Sequence, residues 1–193
     1  KEYKKAASAE KMLSTLIEQS KDECRYLNSV LYSLSRSESS NEIDSIYSEL
    51  VEEGYIKRKS NSKSKPQALK PLSFISSDGF KIMVGRNNRQ NDALTLKTAD
   101  KNDTWLHVKD APGSHVIIET GGADVPDRTI IEAAVIACTY SSAAMSANVP
   151  VDYTQVKNVK KPAGAKPGMV IYKTNRTVYA TPSKDLCNRL LVK

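Results

Sequence analysis

Leu13, Ile17, Ser20, Cys24, Leu27, Leu31 and Leu34 succeed one another at alternating steps of four and three. That spacing lays side chains along one stripe of an α-helix. Met12, Leu16 and Val30 widen the stripe, and Ser20 and Cys24 weaken it. Such a heptad seam buries itself against another helix, so the first segment reads as one arm of a coiled coil. The pattern stops at Ser35-Arg36-Ser37-Glu38-Ser39-Ser40-Asn41. A second helix is predicted from an Asn41 cap to about Glu53, with Ile43, Ile46, Tyr47 and Leu50 on its apolar face. Gly54 suits the left-handed position that ends a helix. The second helix is too short to cover the first. The seam therefore calls for a lost partner, a second chain or the body of the domain itself.

From Pro71 onward the period changes. Short β-rich runs at Phe74-Ile75, Phe80 to Val84, Trp105 to Val108, His115 to Ile118, Val151 to Val156, Met169 to Tyr172 and Thr177 to Ala180 read as strands. Asp78-Gly79 and Pro112-Gly113 supply turns, and Lys173-Thr174-Asn175-Arg176 is expected to close a hairpin. One long helix is predicted from about Pro126 to Ser146. Asp124 or Asp127 is its candidate cap, and Ile131, Ala134, Val135 and Cys138 form its buried face. Shorter helices are expected after Asn91-Asp92, through Leu94 and Leu96 to Ala99, and over Ser183 to Leu191. The fold class is α+β: a helical coiled-coil arm over 1–56, a basic linker over 57–70, and a mainly antiparallel-sheet domain over 71–193 with one long packed helix.

Charge sharpens this division. The 193 residues carry a formal net charge of +7. Residues 1–60 hold 10 Lys+Arg against 11 Asp+Glu, hence −1, which leaves 19 against 11, hence +8, for residues 61–193. A basic excess confined to the sheet domain favours polyanionic partners: nucleic acid, anionic lipid or sulphated glycan. The linker carries Lys57, Arg58, Lys59, Lys63, Lys65 and Lys70 and no acid. It reads as a flexible strap for a polyanion or as a plain solubilising tether. Three cysteines, Cys24, Cys138 and Cys187, lack metal or redox spacing. They point to buried thiols in a reducing, cytoplasmic compartment. No apolar run is long enough to cross a bilayer, and the charged start, Lys1 to Lys5, does not read as a secretory signal.

Three stretches could carry chemistry. In the first, strand geometry puts Trp105 and His107 on one face, and the Pro-Gly turn brings His115 back beside them. With Asp103 and Lys109 nearby, the patch could stack a base on the indole and bond phosphate or ribose through the histidines and the lysine. Alternatively the tryptophan is buried and His107 is satisfied by Asp103 or Asp110. A zinc site from Asp103, His107 and His115, or a His–Asp acid/base pair, is conceivable but lacks diagnostic spacing or a nucleophile. The second stretch is Arg86-Asn87-Asn88-Arg89 before a helix start. It suits a phosphate, or else forms a structural loop whose Asn side chains satisfy their own backbone. Its glycines do not fit a Walker loop. The third is the basic loop with Lys157, Lys160, Lys161 and Lys166, which could neutralise phosphates or simply be solvated. No catalytic residues and no cofactor are expected.

In order along the chain, these pieces resemble one family. Ser77-Asp78-Gly79-Phe80, Val84-Gly85-Arg86-Asn87-Asn88, Gln90-Asn91-Asp92, Asp103 with Trp105-Leu106-His107, and Pro112-Gly113-Ser114-His115-Val116-Ile117-Ile118 closely resemble an NFACT-R domain. So do Val149-Pro150-Val151-Asp152-Tyr153-Thr154, Val159-Lys160-Lys161-Pro162 and Gly164-Ala165-Lys166-Pro167-Gly168-Met169-Val170. Glu49 to Ile56 resembles the end of the coiled coil in the same proteins. The resemblance is to the RqcH family, whose bacterial members are also called FbpA or fibronectin-binding proteins. It implies a ribosome-quality-control factor that binds tRNA and RNA of the stalled large ribosomal subunit and supports alanine tailing of nascent chains. The family's Asp-Xaa-Trp-Xaa-His motif falls on Asp103, Trp105 and His107. An adhesin role toward fibronectin or a host surface is the alternative, with display at the bacterial cell surface. No membrane partner is implied, and the unpaired seam offers a surface for self-association.

Overall fold

The computed structural model describes residues 2–57 and 69–192. The arm is α1 (Glu2–Ser35) followed by α2 (Ser40–Glu52). The cap of α2 is Ser39 rather than Asn41: its hydroxyl accepts from the Glu42 N–H while the Glu42 carboxylate accepts from the Ser39 N–H. This reciprocal capping box satisfies amides that the helix itself leaves free. Gly54 ends the helix at φ 82°. Tyr26, Val30 and Ile46 close the joint between the two helices, with Leu50 and Tyr55 packed around them. Full burial of such side chains stabilises by roughly 1.5–3 kcal/mol each.

The heptad seam is not in this joint. Leu13, Ile17, Leu27, Leu31 and Leu34 are exposed, and Leu31 keeps 63% of its surface. The domain therefore does not cover the seam. Of the linker, residues 58–68 lie outside the described residues.

The sheet domain contains β1 (Leu72–Ile75), β2 (Lys81–Val84), α3 (Asn88–Ala93), a π-helical segment (Leu94–Thr98), β3 (Thr104–Val108), β4 (Val116–Glu119), α4 (Asp127–Thr139), β5 (Val149–Gln155), β6 (Val159–Lys160), β7 (Ile171–Tyr172), β8 (Arg176–Ala180) and α5 (Lys184–Leu190). Six strands form one antiparallel sheet in the order β1-β2-β4-β3-β5-β8. One face buries Phe74, Ile82, Val84, Leu106, Val108, Val116, Ile118, Val149 and Val151 against α4 and α5. The other face buries Met83, Trp105 and Ile117 beneath Leu94, Val156 and Val159.

Three sequence expectations need correction. The long helix ends at Thr139, not Ser146, and Pro126 caps it without a side-chain hydrogen bond. Its buried set is Thr129, Glu132, Ala133, Ala134, Ile136, Ala137, Cys138 and Thr139, while Ile131 is 50% exposed. α4 is covered by the sheet on one side and α5 on another, so its buried arc is wider than one apolar stripe suggests. The short helix starts earlier than expected, capped by Asn87. Finally, Lys173 to Arg176 closes no hairpin. β7 pairs with β6 in a small second sheet and β8 joins β5, so this segment crosses between sheets.

Candidate nucleic-acid interface

The fold gathers Trp105, His107 and His115 as the strand alternation predicts. The indole stacks on His107 at 5.8 Å between ring centroids and meets His115 edge-on at 5.3 Å. However, Trp105 is 0% exposed. Tyr172 covers it at 4.8 Å, so the indole offers no face to a base and fills the second core instead. His115 is buried too, with its Nδ1 2.8 Å from the Thr95 hydroxyl. Burial holds the His107 imidazole below its ordinary range. Burial, reinforced by His107, holds His115 well below it. Both rings are thus neutral at physiological pH and are poor partners for phosphate.

Asp103 is likewise turned inward. One carboxylate oxygen accepts from the Asp100 N–H, and the other from the Thr120 N–H and hydroxyl. It clamps the turn before β3 to the end of β4, which leaves it neither facing a ligand nor pairing with His107.

The Arg-Asn-Asn-Arg loop has a different partner from the phosphate expected. Arg86 pairs with Glu42 at 2.9 Å, and Arg89 pairs with Glu52 and donates to the Ser48 carbonyl. Asn87 caps α3 through its carbonyl, which accepts from the Gln90 N–H, and its amide donates to Ser45. Asn88 donates to Ser29 and to Glu49, whose carboxylate also accepts from the Tyr26 hydroxyl at 2.9 Å. Glu49 is 1% exposed, and burial raises its pKa despite these donors. For Glu42, burial works upward but is outweighed by backbone amides and Arg86, so its pKa is lowered. The loop is therefore a socket for the arm. Gly168 approaches closely, its position for a Cβ lying 2.7 Å from the Asn88 side-chain Oδ1.

Two of the predicted lysines are also engaged. Lys161 pairs with Asp92 and donates to the Lys166 carbonyl, which folds the basic loop onto α3. Lys166 pairs with Glu53 at 2.9 Å and lies over the Tyr55 ring at 5.0 Å, so it too binds the arm. Its hydrogen bond to Glu53 raises its pKa.

Lys109, Lys157 and Lys160 remain exposed. Strand register brings further cations to two of them. The Lys157 N–H donates to the Lys101 carbonyl, the Lys173 N–H donates to the Asn158 carbonyl, and Arg176 lies opposite Tyr153 at the far end of β5. Lys101, Lys157, Lys160 and Lys173 thus gather at one end of the sheet, and Arg176 lies at that end on the face that carries Val178. All five are exposed, and none pairs with an acid among the described residues. Sequence reading missed Lys101, Lys173 and Arg176 because their clustering depends on pairing between distant segments.

Comparisons with known proteins agree with this architecture. Residues 70–174 match the family described as the NFACT protein RNA binding domain, and residues 1–68 match NFACT N-terminal and middle domains. The Rqc2 homolog RqcH of Bacillus subtilis is 42% identical over 97% of this chain and 33% of its own length. That of Streptococcus suis is 43% identical over 96% of the chain and 33% of its own length. The chain thus spans about a third of the length of these curated relatives. Human ribosome quality control complex subunit NEMF is 37% identical over 37% of the chain and 7% of its own length. A solved C-terminal structure of the fibronectin/fibrinogen-binding protein from Streptococcus suis superposes with a TM-score of 0.92 at 41% identity, covering 99% of this chain and 77% of that one. The chain belongs to the NFACT protein family, with the family's RNA binding domain at residues 70–174.

Proposed function

We propose that this chain is the RNA-contacting module of a ribosome-quality-control factor. It holds tRNA and the RNA of a stalled large ribosomal subunit in the cytoplasm and supports alanine tailing, while the ribosome performs peptidyl transfer. The observation that carries the reading is the group of unpaired cations at one end of the sheet, within a domain whose family binds RNA. Lys157 and Lys160 remain contacts in this proposal, joined by Lys101, Lys173 and Arg176. The buried Trp105, His115 and Asp103 and the half-buried His107 position the strands and loops that carry those cations. Arg86, Asn87, Asn88, Arg89, Lys161 and Lys166 set the arm and the basic loop in place.

Titrating the chain with tRNA across salt concentrations tests this. Each phosphate neutralised contributes a slope of roughly −0.7 to −0.9 in log affinity against log salt. Replacing Lys157 and Lys160 by Glu is expected to lower affinity and flatten that slope. Binding that ignores both salt and these substitutions overturns the assignment.

A second reading rests on the fibronectin/fibrinogen-binding name of the structurally similar streptococcal protein. Its test is binding of the purified chain to immobilised fibronectin, together with detection of the full-length parent on intact cells from which a cytoplasmic marker is excluded.

A further inference from the structure

Trp105 is sealed inside, but the same sheet face carries a second ring, Tyr179, in the open. Alternation along β3 puts Trp105, His107 and Lys109 on one face. The Lys109 N–H donates to the Pro150 carbonyl, which continues the β3–β5 ladder one step past Val108 and Val151. Pro150 in turn lies opposite Tyr179 of β8. Lys109, Pro150 and Tyr179 therefore form one row across three adjacent strands. The next row inward is His107, Asp152 and Thr177. Its Asp152 accepts from Thr177 at 2.6 Å and from Tyr172 at 2.8 Å, and Tyr172 is the ring that covers Trp105. This chain of contacts fixes the face: Tyr179 stands beside the lid over Trp105, away from α4. Val108, Val151 and Val178 alternate to the opposite side, against the first core.

The outer row is open. Tyr179 is 62% exposed, Lys109 is exposed without an acid partner among the described residues, and Pro150 is half-buried between them. A large ring held on a paired strand, with a flat proline neighbour and a cation across it, is the composition of a stacking platform. Charge singles out the occupant. Lys173 directly follows Tyr172, whose hydroxyl reaches Asp152 in the adjoining row, so the cation cluster described above begins on this same side of the sheet. A ring and phosphate-neutralising cations on one side of a sheet suit a single strand, which offers bases to stack as well as phosphates to neutralise.

We propose that Tyr179, flanked by Lys109 and Pro150, stacks an unpaired nucleobase of single-stranded RNA whose phosphates lie on Lys109 and the basic end of the sheet. This rests on the RNA-binding reading and adds to it a preference for unpaired bases.

The experiment measures affinity of the chain for a short single-stranded RNA, for the same strand with abasic positions, and for a duplex, across salt. Stacking contributes roughly 1–3 kcal/mol per base, about fivefold or more in affinity. Tyr179→Ala should weaken binding of the intact strand about tenfold, leave its salt slope unchanged, and abolish the advantage over the abasic strand. Tyr179→Phe should retain that advantage, since stacking needs the ring and not the hydroxyl. Lys109→Ala should instead reduce the salt slope by about one phosphate. If Tyr179→Ala binds all three probes like the parent while the Lys157 and Lys160 substitutions to Glu still weaken binding, the platform is wrong and the RNA reading stands. If the parent binds none of the probes, both fall. Unchanged melting of Tyr179→Ala distinguishes lost contact from lost fold.

Discussion

Trp105 and the two histidines have a thermodynamic consequence because they are packed together. Both imidazoles titrate below their ordinary range, chiefly through burial. On acidification the unfolded chain therefore takes up protons before the folded one does. The stability these histidines contribute is complete above about pH 6.5 and drains away as pH falls from there toward their folded values. Denaturant midpoints measured between pH 7.5 and about 5 should fall accordingly, with no matching loss on the alkaline side. Glu49 acts with the opposite sign. Its raised pKa means the folded state binds a proton more readily than the unfolded one, so acidification eases the cost of its burial. Glu49→Ala strands the Tyr26 hydroxyl and one Asn88 bond, and should cost roughly 2–4 kcal/mol in chemical unfolding. Glu49→Gln keeps an acceptor for both donors and should cost far less. It should also steepen the acid-side decline, because the compensating proton uptake is gone.

Elements set by local chemistry were legible in the sequence: the left-handed glycines Gly54 and Gly79, the start of α5 at Ser183 and the alternation of β3 all report their own neighbourhood. Elements defined by remote partners were not. β7 looks like one side of a hairpin until β6 claims it, and the arc of α4 widens because α5 packs beside the sheet. The burial of Trp105 depends on Tyr172 and Val159, more than fifty residues further on, which no local pattern encodes. Gly85 and Asn91, which flank the Arg-Asn-Asn-Arg stretch that read as a phosphate site, prove to be parts of a brace. The Asn91 side-chain carbonyl accepts from the His115 N–H at 3.0 Å, and a Cβ at Gly85 would lie 2.1 Å from that same oxygen. Gly85→Ala should therefore destabilise by roughly 1–3 kcal/mol through forced displacement of Asn91. A lowered melting temperature checks this. A neutral result would mean that the β2–α3 corner yields more easily than its packing indicates.

Across the whole molecule, acids of the arm meet bases of the domain: Glu42 with Arg86, Glu52 with Arg89, Glu53 with Lys166. The basic excess seen in the sequence is thereby divided into a share spent internally and a share left facing outward. Arg86→Ala combined with Arg89→Ala should speed amide exchange in α2, each partly exposed pair contributing at most about 1 kcal/mol. The same double variant should change tRNA affinity less than the Lys157 and Lys160 substitutions do. A large loss of affinity would place the Arg-Asn-Asn-Arg loop in the RNA contact after all. The arm's reach adds a mechanical consequence. α1 has 34 residues, and its first buried position is Tyr26. At ~1.5 Å per residue, the stretch before it projects on the order of 36 Å from its anchorage. It therefore works as a lever with its fulcrum at Glu49 and Asn88: a tilt of about 5° there sweeps the far tip through roughly 3 Å over such a length. Small rearrangements in that socket are magnified into displacements as large as an atomic contact.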